Sequence, residues 1–135
     1  MIIKPLKAAF LIYCLFLVFK ANASSSEYLE GVWVLNTTYT IEQSGKALPQ
    51  KVLNSLNSNK AMSYVFRKNK TTYTPLESID EQDDWFEWDL ISESVDSITI
   101  NIYNEKQIRF SKLKECLGLP IEKYAYTEYY CKENK

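Results

Sequence analysis

The sequence predicts a small all-β domain built as an antiparallel barrel or sandwich, on three observations. Apolar residues alternate with polar ones at a period of two, most clearly where Ile98, Ile100 and Ile102 share one face and Ser97, Thr99 and Asn101 the other. Tyrosine, threonine and isoleucine recur in short runs, and the links between those runs are short. Only one stretch, 49–57, carries helical spacing.

The first segment is not part of that domain. Lys4 and Lys7 give a basic start, Ala8 to Phe19 an unbroken apolar run, and Ala21-Asn22-Ala23 a small-residue end. That order is a secretory signal, with cleavage expected between Ala23 and Ser24. The apolar run is too short to span a bilayer, which takes about 20 such residues, and Lys20 closes it. Cys14 follows bulky Tyr13 inside the run, so it reads as part of the discarded leader rather than as a lipidation site. The expected organisation is therefore a signal peptide over 1–23 and a single domain over 24–135, exported to the periplasm or secreted, with no membrane attachment after cleavage.

Cleavage changes the charge. The leader carries three of the 16 Lys and Arg and none of the 17 Asp and Glu, so the remainder is acidic by four charges. No basic stripe is present for phosphate binding, and nucleic acid is not an expected partner. The cysteine count falls from three to two, and in an oxidising compartment Cys116 and Cys131 are expected to be bridged. A loop of about 15 residues closed in this way is worth roughly 3 kcal/mol. The chain has no histidine, which excludes Ser-His-Asp, Cys-His and His-metal chemistry. No motif places carboxylates or lysine for catalysis. A non-catalytic protein with no cofactor and no metal is expected.

Taken in order, extended stretches are expected over 29–36, 62–68, 71–75, 85–91, 97–103, 107–113, 115–121 and 124–132. Between the first two, Val52, Leu53 and Leu56 at i, i+3, i+4 spacing just after Pro49 predict a short helix near 49–57. At the C-terminus, placing Cys116 opposite Cys131 also places Ile121 opposite Tyr126 and leaves a tight turn near Lys123. The last two strands are then a disulfide-stapled hairpin. Its tyrosines, Tyr124, Tyr126, Tyr129 and Tyr130, fall on both faces of the strand. They suit an interface as well as an ordinary strand.

Leu29-Glu30-Gly31-Val32-Trp33-Val34-Leu35 lies just behind the expected cleavage site. Its Gly-x-Trp core resembles the first-strand motif of the lipocalin-like proteins. The later rhythm of Tyr64-Val65-Phe66 and Ser97 to Tyr103 is similar to small bacterial lipocalin-like domains. The resemblance covers most of the domain in pattern only; the family's second motif, a Thr-Asp-Tyr-like turn, has no match. It implies an up-and-down barrel of about eight strands, wide enough for side chains or one small ligand. It gives Gly31 and Trp33 a structural role at a closed end and makes Arg109 the candidate for the basic residue lying over the Trp33 ring. It implies a small apolar ligand held by residues such as Tyr64, Phe66, Trp88, Ile100 and Phe110. It also points to a bacterial source, in which the sequons at Asn36 and Asn69 carry no glycan.

A second candidate surface lies between Glu77 and Asp89. There Asp80, Glu81, Asp83, Asp84 and Glu87 crowd around Trp85, and an acidic, Trp-containing edge suits a basic protein partner. On this alternative the chain is a periplasmic inhibitor or immunity protein that blocks a basic cell-wall-degrading enzyme or toxin. The same residues are also accounted for by a solvated loop entering a strand whose Phe86, Trp88 and Leu90 face the core. A calcium loop is not expected, because the acids lack the glycine turn.

Overall fold

The computed structural model describes residues 26–58, 60–103 and 106–133. The expected signal peptide, 1–23, lies outside the described residues. Eight strands form one closed, all-antiparallel barrel in sequence order: β1 (Gly31–Leu35), β2 (Met62–Phe66), β3 (Lys70–Pro75), β4 (Phe86–Glu93), β5 (Ser97–Ile102), β6 (Lys106–Leu113), β7 (Cys116–Ile121) and β8 (Tyr126–Lys132), with β8 returning to pair with β1. Every expected extended stretch overlaps a strand, and closure gives every strand a partner on both sides.

Alternation decides what fills the barrel. Trp33, Phe66, Trp88, Ile98, Ile100, Phe110 and Leu117 are buried in one continuous core, while their strand neighbours point out. On β4 the two-residue rhythm breaks at a bulge between Leu90 and Ser92, which leaves Ile91 exposed and sets Glu93 opposite buried Ile98. Glu93 is thereby brought to the barrel's end within reach of polar partners. It finds them in Lys112, 2.7 Å away, and the Ser26 hydroxyl, which donates at 2.7 Å.

The C-terminal hairpin has the expected register. Cys116 lies opposite Cys131 and Ile121 opposite Tyr126, the disulfide joins the first of these pairs, and a 3-10 turn over Glu122–Tyr124 closes the connection.

The long β1–β2 connection holds two helices. The expected one, α2 (Gln50–Leu56), turns Val52 and Leu56 into a second small core with Leu48, against which Leu35, Tyr124 and Tyr126 pack. The other, α1 (Thr37–Ser44), was not expected from its threonine-rich, β-branched composition. It is held by its ends: the Asn36 side chain accepts from Tyr39 N at its start, and Gly45 takes the left-handed conformation (φ 63) at its finish. Buried Thr40 ties it to the barrel, its hydroxyl accepting from Tyr129 N at 3.0 Å. A 3-10 segment over Leu76–Glu81 lies against the outside of β2 and β3.

Candidate functional site

The two ends of the barrel are built differently. At the closed end, the Trp33 indole N–H donates to Leu29 O at 2.7 Å, which anchors the turn preceding β1 beneath the barrel. The cation over the Trp33 ring is Lys132, with Nζ 5.3 Å from the centroid. Arg109 does not occupy that position, which corrects the expectation: it is exposed opposite Thr99, and its neighbours Ile108 and Phe110 take the inward places. Gly31 makes room for Lys132. Its φ is +133, and a Cβ there would come within 3.0 Å of Lys132 Cε. Lys112 lies over the Tyr28 ring at 4.3 Å while bonded to Glu93, so the end is sealed by aromatic rings and an ion pair. Burial pushes Glu93 up, but the bonds from Lys112 and Ser26 outweigh it and hold the carboxyl below its ordinary range.

Above this end the barrel is solid. Phe66 meets Trp88 and Phe110 edge-on, and Trp88 donates its indole N–H to Arg67 O at 2.8 Å. Four of the five residues expected to hold a ligand, Phe66, Trp88, Ile100 and Phe110, are thus packing residues of the filled half. Tyr64 alone of the five lines the cavity at the mouth of the barrel.

Tyr64 also begins a polar cluster inside the upper half. Its ring lies 4.5 Å from that of Tyr73 and 4.9 Å from that of Tyr130. The Tyr130 hydroxyl donates to Glu128 Oε1 at 2.9 Å and the Tyr126 hydroxyl to Oε2 at 3.1 Å. Because the Tyr130 proton is committed to Glu128, the 3.1 Å contact between the Tyr73 and Tyr130 hydroxyls has Tyr73 as its donor. Burial, followed by the neighbouring phenols and Glu128, pushes Tyr64 and Tyr130 far above the ordinary tyrosine range. Tyr73 is raised by burial as well.

Between this cluster and the rim lies a cavity of about 500 Å³ that opens to solvent. Its wall is mostly ring and branched aliphatic surface from Tyr64, Tyr73, Phe86, Ile102, Tyr103 and Ile108, with Thr71, Thr72 and Lys106 completing it. Strand pairing explains why it exists. β3 and β4 are in register only at Lys70 with Glu87 and Thr71 with Phe86. Beyond Thr71 the chain before β4 runs as a loop held by the Thr72 hydroxyl donating to Asp84 O at 2.9 Å. The wall is therefore open where other strand pairs continue.

The rim is aromatic. Phe86 and Tyr103 are 47% and 59% exposed, and their rings meet edge-on with centroids 6.4 Å apart. Phe86 shares a face with Trp88 as alternation requires, but it stands at the mouth rather than in the core. Of the cavity wall, sequence reasoning found only Tyr64. The i, i+2 relation of Phe86 to Trp88 and of Lys106 to Ile108 was the available signal for two others.

The acidic segment is placed differently from a free binding edge. Asp80, Glu81, Asp83, Asp84 and Glu87 are exposed, but Trp85 is half-buried. The Arg67 guanidinium lies 4.4 Å and the Lys70 ammonium 5.2 Å from its ring centroid, and its indole N–H donates to Gln82 O at 2.9 Å. The chain's own cations already cover the tryptophan. No group of three or more acidic or cysteine side chains among the described residues could hold a metal ion.

Comparison of the chain with protein-family models, with curated proteins and with solved structures gives no match, so the eight-stranded barrel and its half-open interior stand on their own geometry.

Proposed function

We propose that this chain is a non-catalytic, exported binding protein that takes one small, largely apolar ligand in the mouth of its barrel, in the manner of the lipocalin-like proteins its first strand resembles. The observation that carries the reading is the half-filled interior. The lower barrel is closed by Trp33 and packed solid, whereas the upper barrel keeps about 500 Å³ behind aromatic walls. That size and lining are those of a small-molecule site. The cost of keeping such surface unpacked is what a ligand would offset. The Cys116–Cys131 bond supports export, since such bonds persist in oxidising compartments.

The alternative, a periplasmic inhibitor or immunity protein that engages a basic enzyme or toxin through residues 80–87, keeps its exposed acids for steering. It has less to anchor with, because the Trp85 ring is occupied by Arg67 and Lys70. Native mass spectrometry of the protein purified from its own host compartment separates the two readings. A bound species of a few hundred daltons supports the cavity. A stoichiometric complex with a basic protein, and no small ligand, would replace it with the alternative.

A further inference from the structure

Among the described residues the cavity wall carries one charged side chain, Lys106, and no acid. Lys106 is exposed at the rim, and no ion pair of it is found among the described residues. Behind the Tyr73 part of the wall, reached through the Tyr73 and Tyr130 hydroxyls, the polarity is opposite. Glu128 lies opposite core-packed Leu119 and two positions from buried Tyr130, and its oxygens take protons from Tyr126 and Tyr130. An anion is therefore repelled on the Tyr73 and Tyr130 side and attracted at Lys106. At the rim Tyr103 adopts φ 55, in the left-handed region, and its ring meets that of Phe86 edge-on.

Resting on the cavity reading above, we infer that the ligand is an aromatic anion, its flat apolar body lying among Tyr64, Tyr73, Phe86 and Ile108 and its carboxylate, or an equivalent acid group, bonded to the Lys106 ammonium at the rim. The aromatic walls select a planar body through offset and edge-on ring contacts. The opposed charges of Lys106 and Glu128 fix its direction, acid group outward. A cationic ligand would meet Lys106 on entry and is disfavoured; a neutral one binds on the apolar term alone.

The test is calorimetric titration of the disulfide-intact protein with three naphthalenes that share one ring system and carry an anionic, a neutral or a cationic substituent: 2-naphthoate, 2-naphthamide and 2-naphthylmethylamine. The expected order is anion, then neutral, then cation, with naphthoate up to about fivefold tighter than naphthamide, as a pair with an exposed ammonium provides. Lys106→Gln removes that margin, because it takes away the charge while Tyr64, Tyr73, Phe86 and Ile108 stay in place. Phe86→Ala weakens all three probes together. Preference for the amine, or an anion preference that survives K106Q, overturns the assignment of the ligand class while leaving the cavity as the site. Failure of all three probes to bind, with K106Q folded as wild type by circular dichroism, overturns the cavity reading itself.

Discussion

Removing the disulfide by the double substitution Cys116→Ala, Cys131→Ala tests how the barrel is closed. The two cysteines face each other across β7 and β8 with a sequence separation of 15 and are only half-buried. Loss of packing is therefore small, and the effect falls on the unfolded chain, which regains the freedom of a 15-residue loop. The chain-entropy relation puts this at about 3 kcal/mol. For a domain of this size the same loss lowers the thermal midpoint by roughly 10–20 °C. Urea unfolding followed by tryptophan fluorescence reads the free energy and a thermal scan reads the midpoint, and the slope with denaturant should rise because the unlinked unfolded chain exposes more surface. Wild-type protein in excess reductant should unfold with the variant's midpoint. The six-pair ladder of the hairpin stays intact, so the folded variant keeps its far-ultraviolet spectrum. A loss below about 1 kcal/mol with an unchanged slope would refute the reasoning, because it would mean that the unfolded chain already holds this hairpin closed.

Other outcomes follow from the two ends of the barrel. Trp33→Phe removes the buried bond to Leu29 O and is expected to cost about 1–3 kcal/mol in urea unfolding, without changing affinity at the cavity. Gly31→Ala places a Cβ against Lys132 at φ +133 and should cost about 1–3 kcal/mol by the same assay. Glu93 has a folded pKa below its ordinary 4.5, so its stabilisation is present above that value and is lost as pH falls through the folded pKa; Glu93→Gln should flatten that part of the acid limb in equilibrium unfolding against pH. At the alkaline side the sign reverses. Tyr64, Tyr73 and Tyr130 are held protonated when folded, so stability falls once pH passes the unfolded value of 10.0, and absorbance titration should show these phenols ionising together with unfolding rather than before it.

The barrel was legible in the sequence because its inward residues alternate strictly: Ile98 and Ile100, Ile108 and Phe110, Leu117 and Leu119 mark one face without interruption. The hairpin register followed from a single covalent pair, which fixes every other partner along two strands. The helix α1 escaped because its hydrophobic pattern is weak; its evidence was in the flanking Asn36 and Gly45, which bound a helix whatever lies between them. Arg109 was misassigned against evidence already in the chain, since its flanks Ile108 and Phe110 alternate inward and force it outward. Lys132 could not be found by alternation alone, because its place over Trp33 depends on β8 closing onto β1.

The cavity was legible only in part for a different reason. Composition marks which side chains face inward, but it does not tell which inward positions are filled. That depends on where β3 and β4 part company, after Thr71 and Phe86, and this is a property of the pairing of two distant segments. Tyr64 was recovered because it sits at the boundary between the filled and open halves, whereas Phe66, two residues on, is already in the core. Likewise the acids of residues 80–87 were visible as a cluster, but the cover that Arg67 and Lys70 place over Trp85 comes from the β2–β3 hairpin.

The account stands most directly on where a small aromatic molecule binds. Amide chemical-shift mapping of the labelled protein during titration with 2-naphthamide reads that location residue by residue. Saturable shifts confined to Tyr64, Thr71 to Tyr73, Phe86, Ile102, Tyr103 and Ile108 are the predicted result. Shifts centred on residues 80–84, or none at saturating probe, would contradict it.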